Sequence, residues 1–271
     1  MLNQWLVYRH NTNDFPQYRI VVYFYRTKTI DSGLASIKNK TMEFKQKLVH
    51  GILLKRYKRF LADIKLDSGE VVVAHCTNSG TMKSCLEVGA EVFLSPAADP
   101  SRKTKFTWEM IKINGSWVGI NTANPNQLAL ELVTLGQIKG LEGYTEVRRE
   151  MTFGDSRFDI YAKNENEECF IEVKNVSLKD GNIAKFPDAV TTRGQKHLET
   201  LMEVKKQGIR AVMLYIIQRT DVEAFSAAED IDPEYARKLK LAMAAGVEVI
   251  PLMVEVSPHD IIPITTLPLS F

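Results

Sequence analysis

The sequence predicts an α/β (α+β) chain in two parts, an N-terminal OB-like β-barrel followed by a mixed-sheet α/β domain. Two observations carry this. Between residues 53 and 122 short strand-like runs alternate with turn residues, a texture that suits a small closed barrel. Beyond residue 123 the order becomes helix, three strands, helix, strand, helix, strand, which describes a sheet covered by helices. The expected parts are 1–41, an extension; 42–122, the barrel; and 123–271, the α/β domain.

Residues 1–41 show no clear helical or strand period. Either a poorly ordered natural arm or read-in upstream of a start at Met42 accounts for this. Within the barrel segment, Leu61–Leu66 alternates, 71–74 is β-branched, 92–95 is short and apolar, and 106–113 alternates again. Asp67-Ser68-Gly69, Asn78-Ser79-Gly80 and Asn114-Gly115 supply turns. A small sandwich would read the same way. Asn124-Pro125-Asn126 is expected to break the chain, and 127–138 to form an amphipathic helix with Leu128, Leu132 and Leu135 along one stripe. Runs 145–153, 157–162 and 168–176 read as strands, and 192–207 as a helix stopped by Gly208. The continuous apolar run 209–218 suits a buried strand, 233–245 is helical up to Gly246, and 247–256 is the last strand.

Composition narrows the function classes. With 45% hydrophobic and 25% charged residues the chain is an ordinary globular one, and its longest apolar runs fall far short of the roughly 20 residues of a spanning helix. No apolar stretch follows a basic start, so a secretory leader is not expected. Cys76, Cys85 and Cys169 stand at unrelated spacings, which suits a reducing compartment and forms no metal cluster. The expected location is the cytoplasm, with no membrane partner.

Net charge is only +2, so whole-molecule steering toward a polyanion is weak. The distribution is more informative. Lys55, Arg56, Lys58 and Arg59 surround Tyr57 and Phe60, and Arg102, Lys103 and Lys105 lie beside Phe106 and Trp108. Cations interleaved with aromatic faces suit a nucleic-acid strand; a solvated basic edge with the aromatics turned inward has the same composition.

The chemistry-bearing stretch is Ser156-Arg157-Phe158-Asp159 followed by Phe170-Ile171-Glu172-Val173-Lys174. Side chains alternate along a strand, so Glu172 and Lys174 share a face, and Asp159 is expected on the face opposite Phe158 and Ile160. If 164–167 forms a four-residue hairpin loop, Asp159 falls opposite Glu172. Two carboxylates and an ammonium then share one patch. Mg²⁺, or Mn²⁺ in its place, would relieve the carboxylate repulsion, and the lysine could position a water or stabilise charge on a phosphate. A solvated strand face stitched by cross-strand pairs is the alternative. Asp188, Thr192 and Arg193 gather at the mouth of the second helix, where a phosphate could sit; a simple cap by Thr191 or Thr192 explains the same residues. His75 and His197 each lie near a motif, and His197 is kept as a further candidate.

Several segments resemble the sugar fermentation stimulation protein A (SfsA) family: Arg56-Tyr57-Lys58-Arg59-Phe60-Leu61-Ala62-Asp63, Asn78-Ser79-Gly80-Thr81-Met82, Trp117-Val118-Gly119-Ile120-Asn121-Thr122, Gly154-Asp155-Ser156-Arg157-Phe158-Asp159, Glu172-Val173-Lys174-Asn175-Val176, and 186–198. The resemblance implies an N-terminal OB-like domain, a PD-(D/E)XK nuclease-like domain, and DNA binding without marked sequence preference. It makes Asp159 the first acid, Glu172 the second and Lys174 the lysine, with Phe158 where that motif is named for proline. A supporting acid would be Glu131 on the first helix or Glu150 on the first strand, and Arg157 lies within the motif. The expected function is sequence-nonspecific DNA binding, with RNA left open and an effect on carbohydrate metabolism resting on the family label. The alternatives are a Mg²⁺-dependent nuclease using Asp159, Glu172 and Lys174, and a nucleotide or phosphate-ligand binding protein.

Overall fold

A computed structural model describes residues 42–99 and 101–271, so the extension expected over 1–41 lies outside the described residues. The described residues open on β1 (Met42–Glu43) and then build β2 (Val49–Tyr57), β3 (Leu61–Leu66), β4 (Val71–His75), β5 (Glu91–Pro96), β6 (Phe106–Ile113) and β7 (Ser116–Gly119). β2 to β7 form one sheet in the order β4-β3-β2-β5-β6-β7, and a parallel pairing of β4 with β6 closes five of these strands into a barrel. Leu53, Ile64, Val92, Leu94, Trp108 and Ile111 turn inward and all six are fully buried, with a register shift between β5 and β6 letting Trp108 and Ile111 share that face. The buried Trp108 indole donates to the Met110 carbonyl at 2.9 Å, so its polar atom is satisfied.

β2 is the barrel strand whose period the sequence hides. It bends through a bulge between Leu53 and Lys55, and at Gly51 it runs hard against β3. A Cβ at position 51 would lie 2.6 Å from the Ile64 side chain and 2.8 Å from the Lys65 carbonyl oxygen. Gly51→Ala is therefore expected to destabilise the protein by about 1–3 kcal/mol, the usual cost of overpacking, read as a lower urea midpoint at unchanged m-value.

The second part consists of α1 (Asn124–Thr134), β8 (Glu146–Phe153), β9 (Ser156–Lys163), β10 (Glu168–Val176), β11 (Leu178–Asp180), β12 (Ile183–Phe186), α2 (Thr192–Lys206), β13 (Arg210–Ile217), β14 (Ala224–Ala227), α3 (Pro233–Ala244), β15 (Glu248–Val256) and β16 (Asp260–Thr266). Its main sheet runs β1-β16-β15-β13-β10-β9-β8, with β10, β13 and β15 parallel at the centre. On β13, Val212, Leu214 and Ile216 face the core under α1, while Ala211, Met213, Tyr215 and Ile217 face the core under α2 and α3. Burial on both faces is why this run lacks any polar alternation. β11, β12 and β14 make a small separate sheet. Among the described residues no helix is long and apolar enough to cross a membrane.

The structure corrects several boundaries. Asn124-Pro125-Asn126 does not break the chain but begins α1, with Pro125 in the first turn, where its missing N–H costs nothing. Leu135 is the C-cap and is 45% exposed; Ala129 and Val133 complete the buried stripe with Leu128 and Leu132. The strand expected to be last is followed by β16, whose pairing partners are β15 and β1.

The barrel docks on the mixed sheet through direct bonds. Gly119 N–H donates to the Gln218 carbonyl at 2.9 Å, and the Ser84 hydroxyl to the Ser177 carbonyl at 3.2 Å. The fully buried Arg219 guanidinium clasps both Asp221 oxygens at 2.6 and 2.9 Å, and donates to the Ser177 carbonyl at 2.6 Å and the Ser84 hydroxyl at 3.1 Å.

Candidate active site

The β9–β10 hairpin sets the register of the site. Asn164 N–H donates to the Glu167 carbonyl, its side chain accepts from Asn166 and Glu167, and pairing runs from Lys163–Glu168 to Ile160–Ile171. One step further stand Asp159 and Glu172. The ladder stops there because the Asp159 carboxylate itself takes the Val173 N–H, at 2.9 Å, while its other oxygen accepts from the Asn126 side chain at 2.8 Å. Regular alternation slips at this point. Phe158 packs beside Phe170 and His197 under α2, whereas Ile160 joins the core under α1, so the two do not share the face expected of them.

Glu172 is only 2% exposed. Its Oε1 accepts from Lys174 Nζ at 2.5 Å and is bonded to His197 Nδ1, with Lys174 and His197 3.4 Å apart. Its Oε2 is buried without a partner. Burial pushes the Asp159 carboxyl above the usual carboxylate range, and the neighbouring Glu172 charge adds to that push. Burial also opposes the Glu172 charge, but the His197 bond and the Lys174 ammonium outweigh it and hold that carboxyl below its ordinary value.

These groups line a cleft of ≈ 580 Å³ between the barrel and the sheet. Thr77, Asn78 and Gly80 contribute from the barrel, and Asp188, Thr191 and Arg193 from the approach to α2. Thr191 caps that helix by accepting the Gly194 N–H at 3.1 Å, which turns the helix N-terminus and Arg193 toward the cleft. Thr192 is exposed at the first helical position and does not line it. Glu131 bonds to Gln127 at 3.0 Å along α1, away from the cleft. Glu150 and Arg157 form an exposed pair at 3.4 Å, also off the cleft. The acid-holding group from α1 is thus Asn126, which sequence reasoning passed over as part of a chain break.

Among the described residues no group of three or more His, Cys, Asp or Glu side chains is arranged to hold a metal. The Asp159–Glu172 pair nevertheless fits a hard divalent cation of the Mg²⁺ kind, which takes one or two carboxylates and keeps several waters. The unpartnered Glu172 Oε2 is the atom such a cation would satisfy.

The basic residues divide by role. Arg56 donates to the carbonyls of Arg59 at 3.0 Å, Asn78 at 2.7 Å and Gly80 at 2.9 Å, so its guanidinium braces the Asn78–Gly80 loop. Lys55 pairs with Asp63 at 3.2 Å and lies over the Tyr57 ring, whose hydroxyl also reaches Asp63. Lys58 and Arg59 are exposed in a left-handed turn, φ 50° and 65°, and Arg59 lines the cleft. Arg102 bonds to the Thr104 and Thr107 hydroxyls, while Lys103 and Lys105 are exposed. Ladder partners connect the two groups: Tyr57 faces Leu61, Leu61 faces His75, and His75 faces Thr107. Three strand spacings, roughly 14 Å, separate them at one end of the barrel.

Comparison with known proteins agrees with this architecture. A model described as the SfsA N-terminal OB domain matches residues 54–120, and one described as the sugar fermentation stimulation protein RE domain matches residues 123–260. The sugar fermentation stimulation protein homolog of Geotalea uraniireducens is 50% identical over 210 residues, 77% of this chain and 91% of that one. Its counterpart in Paramagnetospirillum magneticum is 48% identical over 222 residues, 81% of this chain and 94% of the relative. The solved structure of Pyrococcus furiosus SfsA in complex with Ca²⁺ is similar with a TM-score of 0.77 at 28% identity, over 86% of this chain and 99% of that one. With both of its parts matched and close relatives covered almost end to end, this chain belongs to the sugar fermentation stimulation protein family.

Proposed function

We propose that the protein binds DNA without sequence preference in the cleft between its barrel and its mixed sheet, and holds a divalent cation, Mg²⁺ or Mn²⁺, at Asp159 and Glu172. The observation that carries this is convergence: an acid pair with one unpartnered oxygen, a helix N-terminus with Arg193, and the barrel loop bearing Arg59 all open into one cavity. Phosphate suits the helix end and the arginine, and the Ca²⁺ in the Pyrococcus relative is in keeping with a divalent ion on the acids.

Lys174 favours a second reading, metal-dependent phosphodiester cleavage. An ammonium beside two carboxylates can stabilise charge developing on a phosphate, and a bound divalent cation would supply an activated water. Incubating plasmid and oligonucleotides, DNA and RNA, with the protein and Mg²⁺ or Mn²⁺ tests turnover; intact substrates under all conditions would leave binding alone.

Binding is tested by its salt dependence. A polyanion complex loses affinity linearly in log–log form with salt, whereas a compact nucleotide site loses far less. Lys58→Gln with Arg59→Gln is expected to weaken binding of unrelated sequences equally and to flatten the slope by about one to two. An unchanged slope, measured by fluorescence anisotropy, would remove this turn from the interface.

A further inference from the structure

We infer that the cleft takes a single strand of nucleic acid and not an intact duplex. The inference rests on the nucleic-acid binding proposed above and names its substrate class.

The rim of the cleft is bridged. The Thr81 hydroxyl of the barrel donates to the Asp188 carbonyl at 3.3 Å. Beside it Gly80 lies so tightly against the Asp188 side chain that a Cβ at position 80 would fall 1.7 Å from Oδ2. Both sides of this bridge are anchored from behind. Arg56 holds the Asn78 and Gly80 carbonyls, and the Gly80 N–H donates to the Asn78 side chain at 2.9 Å. Across the rim, Thr191 N–H donates to Asp232 at 2.9 Å, and Asp232 also accepts from Gln195 and caps α3.

The space behind the bridge is limited. At ≈ 580 Å³ it falls within the range of about 300–1,000 Å³ typical of small-ligand sites, enough for a nucleotide or two. The acid floor is deep, with Glu172 almost wholly buried. A duplex is a convex body whose phosphates stand on ridges beside grooves about 6 and 12 Å wide, and it would have to carry one of those ridges past the bridged rim. An unpaired strand is narrow and flexible enough to thread beneath it.

The approach to the cleft suits the same ligand. Phe60, 51% exposed, stands in the β2–β3 turn beside Arg59, offering an aromatic face next to a cation. Val71 and Val73 on β4 are also exposed, beside Lys65 and Asp63 of β3, on the barrel strands where OB folds seat oligonucleotides.

The test compares one labelled 20-mer, unpaired and as a blunt duplex, by fluorescence anisotropy with the full chain and with Phe60→Ala. The single strand is expected to bind at least tenfold more tightly. Phe60→Ala is expected to weaken the single strand by about tenfold, ~1.4 kcal/mol, and to leave the duplex unchanged. Duplex binding as tight as single-strand binding, or a Phe60→Ala effect equal on both, overturns the inference while nucleic-acid binding stands. Binding of neither ligand overturns both.

Discussion

On the reading in which the site cleaves phosphodiesters, replacing Lys174 with alanine is expected to cut turnover by a hundredfold or more, while cation binding is retained or tightened. Lys174 is hydrogen-bonded to Glu172 at 2.5 Å, so it competes for the carboxylate that would face the cation. Its removal lowers the positive charge around that carboxylate, which favours a metal, and deletes the ammonium that would stabilise charge on a phosphate, an effect of about 10²–10³ where such donors have been removed. Asp159→Asn is expected to do the reverse to the metal. It keeps an acceptor for the Val173 N–H but removes a ligand charge. The Asp159 carboxyl also ties stability to pH. Its folded-state pKa is raised, so between its unfolded and folded values stability falls as pH rises, and the neutral asparagine should make the metal-free protein slightly more stable at neutral pH. Calorimetric titration of Mg²⁺ or Mn²⁺ with thermal melts of all three proteins checks this pair. Were the residues only a solvated strand face, neither variant would alter the metal response.

Arg219→Ala is expected to cost about 3–5 kcal/mol of stability, because it removes one partner of a buried ion pair and leaves the Ser177 carbonyl with the Ser84 hydroxyl as its donor. Burial pushes Asp221 up, yet the bonds from Arg219 and Lys179 outweigh it and hold the carboxyl at about 2. Its folded pKa is depressed, so this stabilisation is full above the unfolded carboxylate range and is lost as pH falls toward 2. The variant should therefore melt far lower at neutral pH and lose part of the wild-type decline in acid. A melting temperature within a degree of wild type would show that Lys179 alone suffices for Asp221 and the Ser84 hydroxyl alone for the Ser177 carbonyl.

The hairpin bearing the acids was legible because its determinants are local. Asn164 organises the loop, and a four-residue turn puts Asp159 and Glu172 side by side by counting. What escaped lies in contacts between distant segments. That Phe158 and Ile160 face different cores depends on a carboxylate replacing a ladder bond, which no periodicity encodes. Asn126 reaches Asp159 from a helix on the far side of the hairpin from α2, and only packing makes it a neighbour of the acids; the sequence marks His197 as a candidate, but not its bond to Glu172. Arg56 has the composition of a phosphate contact but the geometry of a brace, since the carbonyls it holds are more than twenty residues away for Asn78 and Gly80. β11, β12 and β14, at three or four residues, are too short to display a period, and Pro263 obscures β16.

β1 belongs to the mixed sheet although the whole barrel follows it in the chain: Met42 and Glu43 pair with Ile261 and Asp260. On the ribosome this edge must wait until β16 has emerged, a delay of roughly ten to forty seconds at about 5–20 residues per second. The barrel, whose strands are all made early and close on themselves, can form during that interval, and the α/β sheet is sealed only once β16 is available. Truncations that spare every residue of the cleft but remove β16 would then leave β1 without its partner and the sheet with a raw edge, open to pairing with another nascent chain.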